Sequence, residues 1–73
     1  MGTLSNISSD DTIRAFKRLG WAFDRQRGSH QVYILPGAKK NLVIPVRKEM
    51  RQGTLRALIR DAGMTVDQFL ALL

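Results

Sequence analysis

Ile13, Phe16 and Leu19 recur at the spacing of one helix face, and the polar residues before them suit a helix start. Ser8 or Ser9 is the expected cap, with Asp10 and Asp11 placing negative charge at the positive end of the macrodipole. Gly20 is the expected left-handed stop. Residues 21–26 then alternate in the manner of a strand, with Trp21 and Phe23 on one side and Ala22 and Asp24 on the other. Arg27, Gly28 and Ser29 read as a turn, and residues 30–35 resume extended structure. There His30, Val32 and Ile34 share one face while Gln31, Tyr33 and Leu35 point the other way. Pro36 and Gly37 end that strand. Residues 41–46 are β-branched enough for a third strand, in which Pro45, lacking an N–H, must lie at an end or edge.

Residues 53–62 predict a second helix that buries Leu55, Leu58, Ile59 and Ala62 and leaves Arg56 and Arg60 outside. Gly63 closes it. Thr65 and Gln68 form a capping-box pattern, with Met64 and Phe69 as the hydrophobic staple, so a last helix is expected to run from Val66 towards Leu73. Short linkers imply an antiparallel meander. The expected fold is α+β: a small two-layer sandwich of one helix, a three-stranded antiparallel sheet, a second helix and a short C-terminal helix. At 73 residues the chain holds one domain, expected over 9–73, with residues 1–8 as a flexible arm.

Charge changes the picture more than composition does. Twelve Lys and Arg stand against six Asp and Glu, for a formal net charge of +6. All twelve basic residues fall between Arg14 and Arg60, where the only acids are Asp24 and Glu49. Such a chain suits a polyanionic partner, nucleic acid first. There is no cysteine, hence no disulfide framework. Neither a run of 18 apolar residues nor a basic-then-apolar leader occurs, so a cytoplasmic chain with no membrane segment is expected.

Candidate chemistry is sparse. One His and scattered carboxylates offer no sequence cluster of metal ligands. Gly28 is isolated from any phosphate-cradling glycine pattern, so no cofactor is implied. What remains is His30, just past a glycine turn, with Arg25 and Arg27 before it and Lys39 and Lys40 on the next connection. RNA can be cut without metal if a base removes the 2′-OH proton, that oxygen attacks phosphorus, and cations offset the phosphoryl charge. An imidazole with a pKa near 6.5 suits the proton transfer. The residue alone leaves two readings open: a proton-transfer group, or a bystander at a strand start. Ser29 reads as turn chemistry or a phosphate contact rather than a nucleophile. Trp21 and Tyr33 are each either core residues or stacking platforms for bases.

Several pieces together resemble the HicA family of bacterial mRNA interferases. They are Leu19-Gly20-Trp21, Arg25-Gln26-Arg27-Gly28-Ser29-His30, Ile44-Pro45, Gly53-Thr54-Leu55-Arg56 and Gly63-Met64-Thr65. The resemblance runs from about Thr12 to Phe69. It implies a fold like that of double-stranded RNA-binding domains, cleavage of ribosome-free mRNA in the bacterial cytoplasm, and a catalytic histidine at His30. It also implies a HicB-like antitoxin that covers that histidine. Expected RNA contacts are Gly28, Ser29, Arg25, Arg27, Lys39, Lys40, Arg47 and Lys48. Many relatives carry another His soon after the proline of the third strand, whereas this chain reads Pro45-Val46-Arg47-Lys48. The second acid-base group is thereby unassigned between a water, Tyr33 and His30 itself. The alternative is a non-catalytic RNA- or DNA-binding module of the same fold.

Overall fold

A computed structural model describes residues 3–73. The first helix, α1, spans Ser9–Lys17 and starts on a reciprocal cap. Ser8 Oγ accepts from the Asp11 N–H at 3.0 Å, and the Asp11 carboxylate accepts from the Ser8 N–H at 3.3 Å. Thr12, Ala15 and Phe16 bury one face of the helix. α1 stops at Lys17, so Leu19 falls outside the buried stripe expected of it and stays 45% exposed. Gly20 takes a φ of +100°, and the Trp21 N–H donates back to the Phe16 carbonyl. That reversal drops Trp21 into the core, edge-on to Phe16 at 6.4 Å between ring centroids.

Three antiparallel strands follow in the order β1-β2-β3: β1 Ala22–Arg27, β2 His30–Ile34 and β3 Leu42–Pro45. Pro45 is the last residue of an edge strand, where a missing N–H costs no ladder bond. Next come α2, Gln52–Asp61, and α3, Val66–Leu70, the latter capped reciprocally by Thr65 and Gln68. The helices lie on one face of the sheet, with α1 and α2 resting on β3. Tyr33, Leu42 and Ile44 meet Phe16, Leu55, Leu58, Ile59 and Phe69 between the layers. This is the helix, three-stranded sheet, helix layout of the double-stranded RNA-binding domain, as expected.

The arm set apart at residues 1–8 joins the fold from Leu4 onward, its first two residues lying outside the described ones. Leu4 and Ile7 are core residues, 3% and 4% exposed. The Ile7 carbonyl accepts from the Met50 N–H at 2.6 Å, which pins the segment to the loop after β3. The physical reason is plain: two apolar side chains and a backbone bond hold what a polar, serine-rich string would leave loose.

Candidate active site

The β1–β2 hairpin turns on two residues, Gly28 and Ser29. Gly28 has a φ of +59° and Ser29 does not share the positive sign, the pattern of a type II′ turn with glycine first. Register then decides which side chains meet. Phe23 pairs with Tyr33 and Arg25 with Val32, so Asp24 has no partner of its own and forms a bulge. Two residues of β1 oppose a single step of β2, and the alternation of faces inverts there. Before the bulge, Phe23 shares the helix-side face with Tyr33, their rings 5.8 Å apart. After it, Arg25 and Arg27 lie on the opposite face, beside Val32 and His30.

That opposite face carries no helix. His30 sits on it between its two cross-strand partners, Arg27 and Pro45, at the close spacing of directly paired strand residues, roughly 5 Å. Val32 is 4% exposed yet stands apart from the core, enclosed between Arg25 and Val43 in the neighbouring strands. His30 itself is exposed. Arg25 is ion-paired to Asp24 at the bulge, whereas none of the ion pairs among the described residues includes Arg27, Arg47 or Lys48. Those three cations are available to an anionic ligand.

On the helix side, a chain of side-chain hydrogen bonds stiffens the hairpin from beneath. Tyr33 Oη donates to Gln31 Oε1 at 2.8 Å, Gln31 Nε2 to Gln26 Oε1 at 3.2 Å, and Gln26 Nε2 to the Gly28 carbonyl at 2.9 Å. Burial, with Asp10 adding to it, pushes the Tyr33 phenol above its ordinary value. Tyr33 is thus committed to the core face, 3% exposed, and takes no part on the His30 face as base platform or proton donor. Trp21, also 3% exposed, is likewise core. Of the groups left open as second proton donor, Tyr33 is removed by this geometry.

The segment after β3 comes back to the turn: the Val46 N–H donates to the Ser29 carbonyl at 2.7 Å, bringing Arg47 and Lys48 up beside the hairpin. Lys39 and Lys40 are not brought there. They lie on the β2–β3 connection, at the other end of a five-residue strand, about 17 Å away by the rise per residue. Lys40 pairs with Asp61 of α2 at 3.7 Å. Gly28, Ser29, Arg25, Arg27, Arg47 and Lys48 therefore gather around His30, and the two lysines do not. Sequence reasoning missed Ser9, which is 3% exposed and bonded to the backbone of Arg47 across 38 positions. Nothing local signals it. Among the described residues, no group of three or more His, Asp or Glu is placed to hold a metal ion, and no helix is long and apolar enough to cross a membrane.

The model of a family described as HicA toxin of bacterial toxin-antitoxin matches residues 9–64, a span from the start of α1 to just past α2. No curated protein matches the chain significantly.

Proposed function

The chain belongs to the HicA toxin family of bacterial toxin-antitoxin systems, and from that premise we propose that it is a metal-independent endoribonuclease whose proton-transfer group is His30. The observation that carries the reading is the company His30 keeps. It stands on the helix-free sheet face with Arg25 and Arg27, next to the turn of Gly28 and Ser29 and the returning Arg47 and Lys48. A phosphodiester laid over that corner meets the imidazole together with Arg27, Arg47 and Lys48, which take part in none of the ion pairs among the described residues. His30 accepts the 2′-OH proton, the 2′ oxygen attacks phosphorus, and the bond to the 5′ oxygen breaks. The products are a 2′,3′-cyclic phosphate and a 5′-OH. The leaving oxygen takes its proton from water or from His30 after it has been protonated. Arg and Lys offset the charge growing on the phosphoryl oxygens.

In this reading the substrate is single-stranded mRNA in the bacterial cytoplasm. Lys39 and Lys40 hold RNA backbone away from the cut, and a HicB-like antitoxin silences the enzyme by covering His30. No cofactor is required. The test is to incubate the protein and its His30→Ala variant with a long single-stranded RNA, with and without EDTA, and to read fragment ends and affinity. Cleavage that survives EDTA, leaves cyclic ends and disappears in a variant that still binds supports the enzyme. Binding by both proteins without new ends supports the non-catalytic module. That second reading is favoured by the segment Pro45-Val46-Arg47-Lys48, which offers no ready proton donor at neutral pH where the family resemblance implies a second histidine.

A further inference from the structure

Resting on that reading, we propose that Ser9 is a positioning residue that aims Arg47 at the phosphate held beside His30. Ser8 already caps α1, so the helix needs nothing from the Ser9 hydroxyl. Yet Ser9 is a polar residue in a dry place, 3% exposed, and every hydrogen bond of its side chain goes to one residue. Its hydroxyl donates to the Arg47 carbonyl at 3.0 Å and accepts from the Arg47 N–H at 3.0 Å. The Ser9 N–H also donates to the same carbonyl at 3.0 Å.

Both backbone groups of Arg47 are consequently engaged, and its neighbours are tied as well. The Val46 N–H is held by Ser29, the Asn6 N–H donates to the Glu49 carboxylate at 3.2 Å, and the Met50 N–H is held by Ile7. A strap fixed in this way has little backbone freedom left. Its side chains stay exposed all the same, Arg47 and Lys48 among them. Arg47 lies two residues beyond Pro45, the cross-strand partner of His30. The Val46 bond to Ser29 keeps the chain against β2 one step past β3, and the strand's alternation continued over that step puts Arg47 on the His30 side, about 7 Å further along, before the chain bends at Lys48. A guanidinium extends that far, stays charged at every working pH, and grips two phosphoryl oxygens at once. Arg47 is then the group that this strap aims at the phosphoryl charge.

The test is a double-mutant cycle with Ser9→Ala, Arg47→Gln and the combination, read on an RNA strand and on the same strand carrying a 2′-deoxy residue at the cut. Loss of a transition-state donor at Arg47 is expected to lower kcat by about 100-fold, with Ser9→Ala about tenfold down and KM little changed. If Ser9 acts through Arg47, the combination is no worse than Arg47→Gln alone. A merely structural serine would instead multiply the two losses, and that outcome overturns the proposal. Should Ser9→Ala melt below the assay temperature, Ser9→Cys takes its place, since it keeps the volume and weakens both hydroxyl bonds. If the protein itself does not cut RNA, the enzyme reading falls. The cycle is then decided on affinity for the uncleavable strand, where coupled losses sustain the Ser9–Arg47 link and independent ones overturn it.

Discussion

Ser8 and Asp11 each supply the hydrogen bond that the other's backbone lacks, and the exchange leaves a trace in the titration of the carboxylate. The Ser8 N–H, then the Ser8 hydroxyl and the nearby Arg14 hold Asp11 below the ordinary aspartate range. A carboxyl whose folded pKa is depressed contributes stability above its unfolded value, near 3.9, and that stability is lost as pH falls through the lower folded value. Melting temperature is therefore expected to drop as pH falls below about 4, in part through this one residue. Asp11→Asn, which can still accept from the Ser8 N–H, is expected to melt slightly lower at neutral pH and to show a flatter decline in acid. Parallel acid declines for the two proteins would remove Asp11 from the account. Ser8→Ala takes away the other half of the cap and is expected to cost about 1 kcal/mol at neutral pH and less in acid, where Asp11 is protonated, read by chemical denaturation.

Among the elements, the β1–β2 hairpin decides most about the site. Its turn places Gly28 at a φ of +59° with open space where a Cβ would project. Gly28→Ala meets no clash and pays only for the left-handed backbone, about 1–2 kcal/mol, and Gly28→Asn is expected to lose less. Equilibrium unfolding measures both; equal losses for Ala and Asn would point away from backbone conformation as the cause. The elements themselves were legible in the sequence because their signals are local. The Thr65–Gln68 capping box, the 3.6-residue stripe of Leu55, Leu58 and Ile59, and the Pro45 stop all act within a few residues. The bulge was not legible, since Asp24 looks like any alternating polar residue and only the pairing with β2 reveals the extra one. Leu19 misled for a related reason: its spacing from Phe16 fits a helix that the Gly20 reversal cuts short.

At the scale of the whole molecule, what escaped the sequence is everything made by distant parts meeting: Ser9 on Arg47, Ile7 on Met50, and the separation of Lys39 and Lys40 from His30. His30 and its arginines were legible because one hairpin carries them. The same long-range logic bears on where the folding unit ends. The family match covers residues 9–64, yet the core extends past both limits, through Leu4 and Ile7 on one side and Phe69 on the other. Phe69 is fully buried, tilted against Phe16 at 5.4 Å. Truncating such a ring to alanine removes about 3–5 kcal/mol, comparable to the roughly 5 kcal/mol of total stability that a domain this small can have. A chain cut to residues 9–64 loses Phe69, Leu4 and Ile7 together, and is expected to be unfolded at room temperature. Phe69→Ala in the full chain is expected to be marginal. Far-ultraviolet circular dichroism with thermal melting gives the answer for both. Trp21, buried against Phe16, adds a local report through the red shift of its fluorescence on exposure to water. A cooperative melt from the 9–64 fragment would mean that the sheet and its first two helices are self-sufficient, and that α3 and the N-terminal segment only brace a core already formed.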